Sequence, residues 1–127
     1  MSEERPIQQT REQARAKQAW RDVEGVGEDQ TKYGTLARKL PALIQTNGLG
    51  QTLAFLKSKK KESATQLLYR HLSSWVMQQM HANGDLLQAI TGWTTEKYRR
   101  ATTEALAYAL WLRRFAEAQG WGGEEED

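Results

Sequence analysis

The side chains with which this chain could do chemistry are two histidines, scattered carboxylates and a surplus of lysine and arginine, and their spacing separates the possible chemistries. His71 and His81 lie ten residues apart, about 80° from a shared helix face. His71 reads as a partly buried polar side chain and His81 as a helix-end residue. The absence of cysteine excludes a disulfide scaffold and a Cys/His zinc centre. Acids of the central chain stand singly or in solvent-facing pairs such as Glu28 and Asp29, so no carboxylate pair is set for acid–base work. Gly48-Leu49-Gly50 lacks the third glycine and preceding strand of a dinucleotide fingerprint, and the lysine and hydroxyl of a phosphate loop. It reads as one helix ending and another beginning. No catalytic residue, metal or cofactor is expected.

Positive charge is the stronger signal. Lys57, Lys59, Lys60 and Lys61 place four cations within five residues just before Ser63, where a helix start disfavours cations. These lysines are either solvated loop charges or contacts for a polyanion. The formal charge of +2 conceals a polarised chain: Glu3, Glu4, Glu124, Glu125, Glu126 and Asp127 hold six of the sixteen acids. From Arg5 to Gly123 eighteen basic residues face ten acidic ones, a net +8. A body of that sign attracts polyanions.

The elements that must position these groups are helical. Alanine and leucine supply 29 residues while valine and isoleucine supply six, which favours helix and starves a sheet. With 127 residues there is room for one core. The expected fold is all-α, a compact single-domain bundle of five to six helices with a long C-terminal helix. The expected division is a flexible N-terminus over 1–6, a helical domain over 7–120 and an acidic disordered tail over 121–127.

Periodicity places a polar helix from Ile7 to Val23 with Ala16, Ala19, Trp20 and Val23 on one face. A second follows Thr31, with Tyr33, Leu36, Ala37, Leu40, Leu43 and Ile44 inward; Pro41 either kinks it or restarts it. A shorter helix carries Leu49, Leu53 and Leu56. Ser63 and Gln66 have the spacing of a capping box, opening a helix to about Met80 with Leu67, Leu68, Leu72 and Trp75 inward. Asp85 caps a short segment through Ile90. The last helix runs from Thr94 or Thr95 to Gly120, its seam formed by Tyr98, Ala101, Ala105, Tyr108, Leu112 and Phe115.

Away from that seam, Arg100, Ala107, Trp111 and Arg114 recur at spacings of 7, 4 and 3, setting an indole between two guanidinium groups. Leu106 and Leu110 also fall outside the seam. Such a helix is either buried on all sides or touches another chain through Trp111, Leu106 and Leu110. The longest apolar run, Ala105 to Leu112, is far short of the roughly 18 residues a membrane span needs. With no secretory apolar region near the start, a cytoplasmic location is expected.

Two blocks, LPALIQTNGLGQTLAFLKSK from Leu40 to Lys59 and YRRATTEALAYALWLRRFAEA from Tyr98 to Ala118, resemble the small helical subunit of the type III-B CRISPR effector, the Cmr complex. LYRHLSSWV, from Leu68 to Val76, lies between them, and the resemblance spans about Ala16 to Ala118. It implies a non-catalytic subunit of an antiviral ribonucleoprotein, present in several copies that stack beside the guide-holding backbone. Its implied partners are the guide RNA and target RNA duplex, other effector subunits and copies of itself, with no membrane. Base pairing then reads sequence, and the protein needs only phosphate contacts. Charge and position nominate Lys59, Lys60, Lys61, Arg70, Arg100, Arg113 and Arg114 for RNA binding. The basic body should keep the isolated chain monomeric. The competing class is a small DNA-binding regulator using the helix after Gly48, but Leu49, Leu53, Phe55 and Leu56 leave it too apolar to read bases.

Overall fold

The computed structural model describes residues 10–122. Six helices follow in order: α1 Arg11–Glu24, α2 Gln30–Asn47, α3 Leu49–Ser58, α4 Ser63–Gln79, α5 Leu86–Ile90 and α6 Thr95–Ala118. The all-α class and the long final helix match the expectation, and no strand occurs among the described residues.

At 24 residues, α6 is about 36 Å long and packs along α2, α1 and α4. Its seam is the one periodicity indicates, with Ala101, Ala105, Tyr108 and Leu112 fully buried against Tyr33, Ala37, Leu40 and Ile44 of α2. Trp75 of α4 stacks on Tyr108 with centroids 5.0 Å apart, which fixes the depth at which α4 sits. Small alanines on α6 let α2 approach closely, while the large rings fill the gap toward α4.

Four local expectations change. The chain before Thr10 lies outside the described residues, and α1 begins at a capping box of Thr10 and Gln13. The Ser63–Gln66 box does not form: Glu62 is the N-cap, the Ser63 hydroxyl donates to Asp29 at 2.8 Å, and the Gln66 amide is used elsewhere. Of the two alternatives at Pro41, the restart does not occur, since α2 runs unbroken from Gln30 to Asn47. The amide it lacks costs one backbone bond, offset by burial of Leu40, Pro41 and Ile44. Trp20, expected inward, is 39% exposed.

Packing also continues beyond residue 120. A Schellman turn closes α6: the Gly120 amide donates to Glu117 and the Trp121 amide to Ala116, with Gly120 at φ 79°. This turn swings Trp121 onto Gly34 and edge-on to Tyr33, ring centroids 6.4 Å apart. Gly122 is buried as well. Residues 121 and 122 of the expected tail thus pack on the body, while the rest of that expected tail and the expected flexible segment 1–6 lie outside the described residues. Among the described residues no helix is long and apolar enough to cross a membrane.

Candidate nucleic-acid and subunit contact surfaces

The turn between α3 and α4 is built by a glutamine. The Gln66 side-chain amide donates to the Leu56 carbonyl at 2.9 Å and the Lys59 carbonyl at 2.7 Å, and the Glu62 amide donates to Lys59 at 3.0 Å. These bonds hold the backbone across Lys59–Lys61 while the three side chains stay exposed. Lys57 is diverted: its ammonium pairs with Asp85 at 3.1 Å and lies 5.5 Å from the Tyr69 ring. Lys60 and Lys61 have no acidic partner among the described residues. Lys59 lies 5.3 Å from the Phe55 ring centroid.

The other nominated cations do not join this turn. Arg70 is exposed on α4, at the rim of a cleft of 740 Å³ that also involves Gln18, Asp22, His71 and Gln78. Arg113 and Arg114 both pair with Glu117 at 3.2 Å, which reduces the charge they offer. Arg100 is exposed, but eleven residues before Trp111, or about 16 Å along the helix. The expected placing of an indole between two guanidinium groups is not what forms. Only Arg114 shares the Trp111 surface, with Ala107, Leu110 and Glu12.

That surface is an aromatic strip in the groove between α1 and α6. The Trp111 indole donates to Glu12 at 2.9 Å and its ring lies 5.3 Å from Phe115. Phe115 in turn meets Trp20 edge-on at 5.2 Å. Leu110 is 46% exposed, whereas Leu106 is half-buried and packs on the core. Sequence periodicity reads Trp20 and Phe115 as inward positions and does not single out Glu12, because their meeting depends on how α1 packs on α6.

The histidines part company. His81 is exposed in the left-handed region, φ 54°, and closes α4. His71 lines the cleft, 2.7 Å from the Tyr33 hydroxyl and 4.0 Å from Asp22. Burial pushes Tyr33 ionisation far up, so the phenol keeps its proton, and the direction of its bond with Nδ1 follows the imidazole tautomer. Burial also lowers the His71 pKa, Asp22 opposing and Arg70 assisting. Desolvation is the larger effect, and the Asp22 carboxylate also accepts from Tyr108 and Gln18. Among the described residues no three histidines or carboxylates converge as metal ligands.

Fold and surface thus define a small helical-bundle protein with one core, an aromatic groove and a lysine-bearing turn. Residues 11–119 match the family described as CRISPR-associated protein (Cas_Cmr5). A CRISPR system Cmr subunit Cmr5 from Thermus thermophilus is 36% identical over 119 residues, covering 86% of this chain and 95% of that one. The crystal structure of a CRISPR-associated Cmr5 family protein from the same organism superposes with a TM-score of 0.75 at 34% identity, covering 87% of this chain and 97% of that chain. The chain belongs to the Cmr5 family, the small subunit of the type III-B Cmr effector.

Proposed function

We propose that this subunit is non-catalytic, that it stacks in several copies along the effector, and that it helps hold target RNA paired to the guide through backbone contacts. The observation that carries this reading is the α3–α4 turn, where Lys59–Lys61 are exposed on a backbone clamped by Gln66. Fixing the backbone and freeing the ammonium groups suits phosphate binding, in which each cation releases condensed counterions without reading sequence. Arg70 and Arg100 add exposed charge on other faces. Arg113 and Arg114 contribute less, because Glu117 competes for them. The aromatic strip at Trp111 and Leu110 serves a neighbouring subunit, since paired RNA offers no ring face for an indole to stack on. In isolation the chain is a monomer in the cytoplasm, its net positive body resisting self-association until RNA or another subunit compensates it.

Changing Lys59, Lys60 and Lys61 together to Ala should weaken target capture by the assembled complex equally for every matched sequence. The slope of log affinity against log salt should fall by about 0.7–0.9 for each phosphate that is no longer neutralised. An unchanged slope would return these lysines to the role of solvated loop charges.

A further inference from the structure

Phosphate binding accounts for the lysines of the α3–α4 turn but not for the ring in their midst. Phe55 is 44% exposed and shares one face of α3 with Gln51, while Lys59 follows the helix end and lies 5.3 Å from the Phe55 ring centroid. Beside Phe55 is a groove of 590 Å³, formed with Leu43, Thr46, Asn47, Gln51 and Thr52, within the roughly 300–1,000 Å³ range of ligand sites. Asn47 and Gln51 are exposed, and among the described residues their side-chain amides have no hydrogen-bond partner. The groove contains no acid.

We propose that Phe55 is a stacking platform for one unpaired RNA base, with Lys59–Lys61 holding the adjoining phosphates and Asn47 and Gln51 meeting the base edge. The inference rests on the phosphate-binding reading of those lysines and narrows what they bind. A base inside a duplex hides both faces, so an aromatic ring among phosphate-binding lysines is useful only to a nucleotide outside the pairing. Lys59, 5.3 Å from the ring centroid, can follow the phosphate while the ring accepts the base. A carboxamide carries both a donor and an acceptor, the pairing a base edge presents. A protein partner is the poorer match: interface cores are depleted in lysine, and here one exposed phenyl stands among Lys59, Gln51, Asn47 and Thr46.

The test uses the full chain and three labelled probes followed by fluorescence anisotropy: a ten-nucleotide oligouridylate, the same strand with abasic riboses, and a blunt ten-base-pair RNA duplex. Wild type should bind oligouridylate more tightly than the abasic strand. Phe55→Leu and Phe55→Ala should each weaken oligouridylate about tenfold, the loss of one stacked base, and leave the abasic strand and duplex unchanged. Phe55→Trp should restore binding. Phe55→Leu keeps an apolar side chain of similar reach, so its loss of binding would report the ring rather than the fold. The Lys59, Lys60 and Lys61 triple Ala variant should weaken all three probes and flatten their salt dependence.

If the triple variant behaves so while the Phe55 variants match wild type, the stacking inference is overturned and the phosphate reading stands. If the triple variant is also silent, both fall. Equal wild-type affinity for base-bearing and abasic strands, or no measurable binding to either, overturns the inference. So does a Phe55→Ala chain that binds RNA normally but enters the assembled complex poorly, which would make the ring a protein contact.

Discussion

A buried electrostatic joint forms at Glu104, 5% exposed in the middle of α6. It accepts from Trp75 at 2.7 Å and from Arg15 at 2.7 Å and 3.0 Å, with Arg11 at 3.4 Å. Burial alone would favour the neutral acid, but the bonds from Arg15 and Trp75 outweigh it and hold the carboxyl below its ordinary 4.5. A carboxyl whose folded pKa is depressed stabilises the fold fully above its ordinary value and loses that contribution as pH falls through 4.5 and below. Glu104→Ala should cost about 3 kcal/mol in urea denaturation at pH 7, because it strands a buried indole N–H and the Arg15 charge. The variant should also lack the Glu104 component of acid destabilisation that sets in as pH falls through 4.5 and below. A wild-type-like acid dependence would mean that other carboxylates dominate. None of this was legible from Glu104 in the sequence, where it was one acid among ten in the central chain. Its partners come from α1 and α4, 89 and 29 residues away.

At the scale of elements, the turn that follows α6 is packed onto α2 through a glycine. A Cβ placed on Gly34 would lie 2.4 Å from the Trp121 Cβ and 2.5 Å from its carbonyl oxygen, distances that require one of the two segments to move. Gly34→Ala should therefore release Trp121 and cost about 2 kcal/mol by equilibrium unfolding. Trp121→Ala should cost a similar amount, and the double variant should cost little more than either single one, since both remove the same packing. Strict additivity would show that Gly34 acts through α2 alone. The helices themselves were readable: the stripes of α2, α4 and α6 arise from a 3.6-residue period that local sequence encodes directly. The caps were less so. Ser63 and Gln66 have box spacing, but Gln66 gains two carbonyl partners by reaching back to the turn, and Asp29 draws the Ser63 hydroxyl away.

For the molecule as a whole, the aromatic strip of Trp20, Phe115 and Trp111 is the surface best suited to a neighbouring subunit. Trp111 is half-buried and its indole N–H is satisfied by Glu12, so it is anchored before any partner arrives, and anchoring in advance lowers the cost of association. Trp111→Ala should leave the isolated chain folded by circular dichroism. Its incorporation into the effector should fall at every salt concentration, because apolar anchoring is not screened. Pull-down across a salt series measures this. Unfolding would assign the ring to the core, and normal assembly with poor RNA capture would assign the face to nucleic acid.

Taken by itself, the sequence determined the class, the helix count to within one, the seam of α6 and the cluster Lys59–Lys61, because each depends on composition or on residues within a few turns of one another. The family too was legible, in the blocks Leu40–Lys59 and Tyr98–Ala118. Only the tertiary structure decided what the charges and rings do. Helix periodicity put Arg100, Trp111 and Arg114 on one face, yet rise along the axis separates Arg100 from the indole, and Glu117 claims Arg113 and Arg114. Phe55 looked like one more apolar residue of a short buried helix; α3 buries Leu49, Leu53 and Leu56 on one side and leaves Phe55 beside Lys59 on the other. Which side chains meet across two helices, and which carboxylate reaches which cation, depends on partners far away in the chain, and no local spacing carries that information.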